Sequence, residues 1–360
     1  MTEPVDADDD APPDVPSRAP ARTRRRPRRG VLVASGLAVL VAPFLIAGAW
    51  FWWQLDPPGA RGGAVTVSIP AGTGVSGIGD RLHSAGVIGS SLAFKVYVGV
   101  SGGGPYRSGQ YKLRRNMGVR AAAGALQKGP SILKLALPPG LTLDQIAARV
   151  GALPGLSADR FLALARSGTV RSKYEPPGVT TVEGLTWPDT YVVDRGESEA
   201  RILRLLVGAF DENADRIGLS NTGALGVSPY QALVVASMIQ AEARLDVDRP
   251  LIAAVVYNRL HDGMPLQIDA TVKYARGGGD APLTSDNFAL DSPYNTYKVK
   301  GLPPTPIMTS AEVSIRAALA PANAPFLYYV VIDPSGKHAF SVTYAQHLQN
   351  VAEARRKGLL

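Results

Sequence analysis

Glu242 is the residue whose position in this sequence best suits proton-transfer chemistry. Helical steps back from it reach four apolar residues, Ala232, Val235, Met238 and Ile239. A carboxyl on the apolar face of a helix loses water, which disfavours its ionised form and keeps it protonated near neutral pH. Such a group can donate its proton to a leaving oxygen as a general acid. The alternative is a buried ion pair with Arg244, Arg249 or Arg259.

The helix that must position Glu242 is predicted to begin at Ser228. Ser228 and Gln231 have the spacing of a capping box, and Pro229 occupies the first helical position. A second helix is predicted over residues 250–260, where Asn258 lies near the end and Gly263 supplies the turn.

Polar and aromatic side chains are dense in two segments farther along. Residues 264–274 alternate enough to predict a strand with Gln267 and Asp269 on the same side. Residues 292–304 include Tyr294 and Asn295, and their aromatic faces and neutral hydrogen-bonding groups suit a sugar ring better than a phosphate. A long surface loop whose side chains bond their own backbone is the alternative for this segment.

Two other places in the second half carry titratable groups. Residues 181–191 are expected to form a loop, where Glu183 and Asp189 either serve a site or satisfy turn backbone. Residues 325–332 and 337–342 predict a β-hairpin, and His338 near its turn is interpreted as a structural donor rather than a base.

Composition narrows the classes of protein that remain. The chain has 360 residues, 46% of them hydrophobic and 19% charged, so it can form a substantial core. It has no cysteine, which excludes disulfides and thiolate metal sites. Its four histidines are too scattered to predict a metal site by spacing, and general acid chemistry by Glu242 requires no cofactor.

The amino-terminal region predicts a membrane anchor. Residues 1–30 are polar, charged and proline-rich, which indicates a disordered tail. Residues 31–53 carry no charge and end in tryptophans, which predicts a transmembrane helix rather than a cleaved signal peptide. Six arginines precede this segment, so the tail is expected in the cytoplasm and the rest outside it. Because topology explains the basic cluster within the net charge of +8, a nucleic-acid partner is not expected.

The remainder is predicted to be α+β, with a module at residues 64–178 and a catalytic domain at residues 179–360. The module repeats a pattern of strand, Pro/Gly turn and helix, once from Val65 and again from Leu133. Such units resemble LysM-like modules, which bind glycan strands. A spacer without glycan contact is the alternative.

Several ordered motifs in the second half resemble those of one family. They read EGLTWPDTY, VVASMIQAEA, VVYNRL, LQIDATVKY, SPYNTY and GLPPTPI, followed by the hairpin that contains KHAFSVT. Together they are similar to the YceG-like family, the endolytic murein transglycosylases. Two departures stand out: residue 240 is glutamine where some relatives carry a second glutamate, and residues 304–310 differ from the usual loop.

The resemblance implies a lyase anchored in the inner, or cytoplasmic, membrane. Its substrate would be nascent peptidoglycan glycan strands, cut between N-acetylmuramic acid and N-acetylglucosamine to leave 1,6-anhydro ends. Peptidoglycan synthases (penicillin-binding proteins) would be partners. Glu242 would be the catalytic acid and base, and the candidate substrate ligands are polar residues of the other motifs: Asn258, Gln267, Asp269, Tyr294 and Asn295.

Two other functions fit the same residues. One is a muramidase that hydrolyses the same bond, with Asp269 or Glu183 as the second carboxylate that hydrolysis usually needs. The other is a membrane-anchored glycan-binding or scaffold protein without activity, in which Glu242 is only a buried structural acid.

Overall fold

The computed structural model describes the backbone of residues 29–279 and 281–360 and the side chains from residue 39 onward, except at residue 280. The predicted disordered tail lies outside the described residues apart from its last two positions. The first helix, α1 (Arg29–Leu55), covers the predicted anchor. Within the described part of the chain, no helix is both long and apolar enough to cross a membrane.

A β-α-α-β unit follows α1. It contains β1 (Ala64–Ile69), α2 (Val75–Ser84), α3 (Ser91–Ser101) and β2 (Gly109–Arg114). The two strands pair antiparallel over six residue pairs, from Ala64 opposite Arg114 to Ile69 opposite Gly109. Alternate side chains such as Val67 and Tyr111 enter a small core, which α4 (Val119–Gln127) and the end of α1 complete.

A second unit repeats this arrangement, as the repeated pattern predicts. It contains β3 (Ile132–Leu137), α5 (Leu143–Gly151), α6 (Ala158–Ala165) and β4 (Asp189–Asp194). β3 and β4 also pair antiparallel over six residue pairs. The prediction of a loop through residue 191 was wrong for its last residues, because Tyr191 and Val193 alternate into the larger core and extend β4 along β3.

The two units share one four-stranded sheet in the order β1-β2-β3-β4. β2 and β3 meet at a single register pair, Gln110 opposite Ile132. The larger core begins at β3 and continues through the helices that follow. This mixture of helices and antiparallel strands confirms the α+β class.

Helices dominate the rest of the chain, with one hairpin near its end. In order they are α7 (Glu199–Ile217), α8 (Pro229–Glu242), α9 (Arg249–His261), α10 (Asp269–Ala275), α11 (Ser285–Phe288), α12 (Glu312–Leu319), β5 (Tyr328–Val331), β6 (His338–Ser341) and α13 (Tyr344–Arg356). β5 and β6 pair antiparallel and confirm the predicted hairpin, against which α13 packs.

The helix α8 is the centre of this region and ends at Glu242. It begins as predicted, with Ser228 and Gln231 forming both hydrogen bonds of a capping box. The prediction of one apolar face was too narrow, because nearly every side chain from Tyr230 to Ile239 is buried. α9 and α12 pack against α8, which accounts for the burial on several sides. Glu242 is thus held at the carboxyl end of a buried helix.

The predicted strand at residues 264–274 was also wrong. Residues 264–268 form an irregular segment without a partner strand, and α10 begins at Asp269. Ile268 donates its N–H to the Thr296 hydroxyl, so a side chain takes the place of a neighbouring strand. An aspartate in the first turn also favours a helix start. Gln267 and Asp269 therefore do not alternate along one strand.

Candidate active site

Glu242 opens onto a cleft with a volume of about 450 Å³. Three parts of the fold meet there: the end of α8, the segment that leads into α10, and the β5-β6 hairpin with α13. Glu242, Tyr329 and His338 lie together in it, and Gln267, Asp269 and Tyr297 form one side. A volume of this size falls within the range of small-ligand sites.

The electrostatics of the cleft favour a protonated Glu242. Burial and the nearby negative charge of Asp269 raise the pKa of Glu242 to about 7, against the smaller opposing effects of Tyr329, the Ala270 N–H and Lys273. Glu242 is also the last residue of α8, where the helix dipole disfavours a negative charge. The carboxyl is only partly exposed, so its surroundings are mainly protein groups rather than bulk water.

Three arginines are candidates for an ion pair with Glu242, and none of them forms a salt bridge with it. Arg249 donates to Asp246 at 2.9 Å and to the Ser314 hydroxyl at 2.6 Å. The side chain of Arg244 is exposed and lies beside Gly336 in the hairpin turn. The ion-pair interpretation of Glu242 therefore finds no support in the described side chains.

Arg259, the third candidate, instead joins two walls of the cleft. Its guanidinium donates to the backbone oxygens of Leu266 at 2.8 Å and Leu327 at 2.6 Å, and to Gln267 Oε1 at 3.3 Å. It also lies over the ring of Tyr328, 5.1 Å from the centroid. This arginine fixes the segment before α10 against the hairpin.

Tyr329 is the direct partner of the Glu242 carboxyl, and it is not among the site residues predicted from the sequence. Its hydroxyl donates to Glu242 Oε2 at 3.3 Å. Burial and the neighbouring Glu242 raise the pKa of Tyr329 well above its usual value, so it remains a donor. The pair Tyr328-Tyr329 in the predicted hairpin was a partial signal, because adjacent strand residues point to opposite faces and one of the two would face the core.

Gln267 and Asp269 both line the cleft, although they are not parts of a strand. Asp269 is exposed, and its Oδ1 accepts a hydrogen bond from the Tyr297 hydroxyl at 2.6 Å. Gln267 is exposed with φ of 54°, a conformation that non-glycine residues seldom adopt. Such strain is retained where the surroundings fix it, and here the Gln267 N–H donates to the Thr296 oxygen at 3.0 Å.

The other three predicted substrate ligands do not line the Glu242 cleft. Asn295 is fully buried and donates to the backbone oxygens of Phe288 and Leu290. Asn258 donates to the backbone oxygens of Ala324 and Phe326, just before β5. The Tyr294 hydroxyl bonds that of Thr305 at 2.8 Å. Asn295 therefore follows the alternative interpretation, in which side chains of this segment form hydrogen bonds with the backbone.

Gln240, at the position where some relatives carry a second glutamate, has a structural contact. Its Oε1 accepts from the Ala311 N–H at 3.0 Å and from the Ser314 hydroxyl at 2.8 Å. These two bonds tie α8 to the start of α12.

Glu183 is a second buried carboxyl, and it does not line the cleft. Its oxygens accept from the Leu143 N–H at the start of α5 and from the Tyr274 hydroxyl of α10 at 2.9 Å. Burial raises its pKa to about 7, while these two donors oppose the shift. Asp189 is exposed at the beginning of β4. Of the carboxylates proposed as a second catalytic group, only Asp269 shares the cleft with Glu242.

His338 is buried, and Asp248 fixes its position. Asp248 Oδ2 accepts from the His338 backbone N–H at 2.9 Å and lies 2.9 Å from its Nδ1. The ring edge packs against Tyr329, with the centroids 5.3 Å apart. This supports the interpretation of His338 as a structural group that braces the tyrosine bonded to Glu242. Within residues 29–279 and 281–360 no cluster of three His, Asp or Glu side chains is placed to hold a metal ion.

The fold and the site together define a class: an α+β protein with a buried carboxyl of raised pKa that lines an open cleft. Residues 67–353 match the model of the YceG-like family. The chain belongs to the YceG-like family.

Individual relatives agree with this assignment. An endolytic murein transglycosylase of Streptococcus pneumoniae is 31% identical over 320 residues, which cover 80% of this chain and 58% of that protein. An endolytic murein transglycosylase of Bacillus subtilis is 32% identical over 299 residues, covering 79% of this chain and 82% of that protein. The chain therefore spans just over half the length of the streptococcal relative.

A crystal structure of a yceG-like protein from Listeria monocytogenes has a similar fold. Its TM-score is 0.59 at 33% sequence identity, and the match covers 79% of this chain and 98% of the other.

Proposed function

We propose that this protein is an endolytic murein transglycosylase, a lyase that cuts peptidoglycan glycan strands between N-acetylmuramic acid and N-acetylglucosamine. The observation that carries the proposal is the state of Glu242: a carboxyl without a cationic partner among the described residues, open to a cleft, with its pKa raised to about 7. The names of the streptococcal and Bacillus relatives support the choice of substrate.

The first step of the proposed reaction needs Glu242 as an acid. The protonated carboxyl donates its proton to the glycosidic oxygen, and the bond from that oxygen to the anomeric carbon of N-acetylmuramic acid breaks. Positive charge then develops on the muramic ring. The carboxylate of Asp269 lies in the same cleft and is suited to stabilise that charge.

The second step needs the same group as a base. The ionised Glu242, stabilised by the Tyr329 hydroxyl and the Ala270 N–H, accepts the proton of the muramic 6-hydroxyl while that oxygen bonds the anomeric carbon. A 1,6-anhydro ring forms and Glu242 is again protonated. Because the attacking oxygen belongs to the substrate itself, its effective concentration is high and no second carboxylate has to activate water.

A muramidase remains the nearest alternative, with Asp269 as the second carboxylate. The two reactions differ in their products, because an anhydro end lacks the water that hydrolysis adds. Mass analysis of the new ends separates them. A non-catalytic glycan-binding protein is the remaining alternative, and it predicts no new ends at all.

The decisive test compares the wild-type protein with Glu242→Gln on uncrosslinked glycan strands. Glutamine keeps the shape of the side chain but has no proton to donate as an acid, so we expect anhydro ends to fall by at least about 10³-fold. Thermal unfolding of both proteins controls for folding. If Glu242→Gln cleaves as well as the wild type, the proposed role of Glu242 is wrong.

We also propose the cellular setting from the sequence. Residues 31–53 would anchor the protein in the cytoplasmic membrane, with the tail in the cytoplasm and the cleft on the outer side, near peptidoglycan synthases. The region of residues 64–178 would contact glycan as a LysM-like module. Membrane fractionation and protease accessibility of intact cells test the anchor and its orientation. A pull-down on peptidoglycan glycan strands tests the module by comparing the wild-type protein with variants substituted at exposed positions within residues 64–178.

A further inference from the structure

The cleft has a second wall, which the proposed mechanism does not use. Besides the polar side with Gln267 and Asp269, its lining includes Tyr344, His347 and Val351 of α13. The cleft thus has one polar wall and one aromatic wall in addition to Glu242.

The aromatic wall is a packed cluster of three rings. Tyr328 stacks on His347 with the centroids 5.2 Å apart and the planes at 23°. Tyr344 lies 5.7 Å from Tyr328 and 6.2 Å from His347. Arg259 lies against Tyr328, so the cluster is also braced by the arginine that contacts Gln267 on the polar wall. The rings are therefore held in place before any ligand arrives.

Two rings of this cluster line the cleft. Tyr344 is 60% exposed although it packs against two rings, so much of its surface remains open to solvent. The Nδ1 atom of His347 is buried without a hydrogen-bond partner among the described groups. Burial, with a smaller contribution from Arg259, lowers the pKa of His347 and so favours the neutral form of its ring. An exposed aromatic beside a polar wall is a feature of binding sites rather than of a closed core.

A sugar ring matches this pair of walls. A pyranose has faces of C–H groups, which pack on aromatic rings, and an edge of hydroxyl and acetamido groups, which need hydrogen bonds. We propose that Tyr344 and His347 form a sugar subsite beside Glu242, where a pyranose of the glycan strand packs on Tyr344 and turns its polar edge toward Gln267 and Asp269. This subsite rests on the proposed function for the identity of the strand.

The test measures binding without turnover. The whole 360-residue chain carrying Glu242→Gln is held in detergent micelles and titrated calorimetrically with peptide-free oligosaccharides of alternating N-acetylglucosamine and N-acetylmuramic acid. Tyr344→Ala, Tyr344→Phe and Leu348→Ala are each added to this background. Leu348 is the matched control, because it is 48% exposed on the same helix and does not line the cleft.

We expect Tyr344→Ala to raise Kd about tenfold, the effect of losing one stacked ring. Tyr344→Phe keeps the ring and should stay within about twofold of the background, as should Leu348→Ala. Circular dichroism checks that all variants fold. The subsite proposal is overturned if adding Tyr344→Ala leaves the Kd of the Glu242→Gln protein unchanged, or if adding Leu348→Ala raises this Kd equally. It is also overturned if the Glu242→Gln protein binds no oligosaccharide.

The proposed reaction is tested separately, by mass analysis of the same oligosaccharides after incubation with the wild-type chain. Absence of anhydro ends would remove the lyase proposal. A Tyr344-dependent Kd would still support the subsite in that case.

Discussion

Removing the Tyr329 hydroxyl should shift the pH range in which the protein is active. That hydroxyl donates to Glu242 and stabilises its ionised form, so it holds the pKa of Glu242 below the value that burial alone would give. Tyr329→Phe keeps the ring against His338 and deletes the donor. The pKa of Glu242 should rise, and the acid form needed for the first step should persist at higher pH.

The size of this effect follows from the geometry. A hydrogen bond to a charged group contributes about 1.5–3 kcal/mol, but the 3.3 Å separation is longer than an ideal O–H···O bond, so about 1 kcal/mol is a reasonable value. This moves the pKa of Glu242 from about 7 to about 7.7. The protonated fraction then rises about fourfold at pH 8.5 and hardly changes at pH 6.

The assay is kcat/KM for release of anhydro ends between about pH 5.5 and 9. The ratio of Tyr329→Phe to wild type should increase about fourfold from pH 6 to pH 8.5, whatever the intrinsic rate of the variant. Tyr344→Phe is the control, because it removes a hydroxyl from the same cleft without a bond to Glu242. A flat ratio, or one that falls with pH, would refute the assignment of Tyr329 and Glu242.

Three further predictions concern stability. The pKa of Glu183 is raised to about 7 in the folded protein, so the stability that its protonated form contributes is lost as pH rises from about 4.5 to 7. The Tm of Glu183→Gln should therefore increase relative to that of the wild type between pH 5 and pH 8. An equal Tm difference at both pH values would contradict this. Gln240→Ala should lower the free energy of unfolding by about 1–3 kcal/mol in urea titrations, whereas Gln240→Glu can keep both acceptor contacts with α12 and should cost under about 1 kcal/mol. Asn295→Ala should cost about 2–3 kcal/mol and leave the KM of the folded protein unchanged, and a KM change without a stability change would restore Asn295 as a ligand.

Local signals in the sequence predicted much of the fold. The capping box at Ser228, the repeated strand and helix pattern and the hairpin each depend on neighbours a few residues apart, and all three are observed. The strand expected at residues 264–274 failed because its alternation was real but no strand lies beside it. Thr296, about 28 residues away, supplies the hydrogen bond instead. Such distant partners leave no periodic trace in a sequence.

The candidate site shows the same division. Glu242 was found because a charge within a long apolar run is visible locally. The bond from Tyr329 was not found, since it joins residues 87 positions apart. Residue type alone did not separate Asp269, which faces the cleft, from Asn295, which is buried among backbone oxygens. Both are small polar residues in motif segments, and only packing distinguishes them.

A single arginine, Arg259, fixes the width of the cleft. Its planar guanidinium donates to the backbone oxygens of Leu266, before α10, and Leu327, before β5, so the distance between these two segments is fixed. Lysine has one compact ammonium and lacks the fork that reaches divergent acceptors, so this exchange would not be conservative here. A wider cleft in this fold would therefore require the loss of these Arg259 contacts as well as a change in a lining residue.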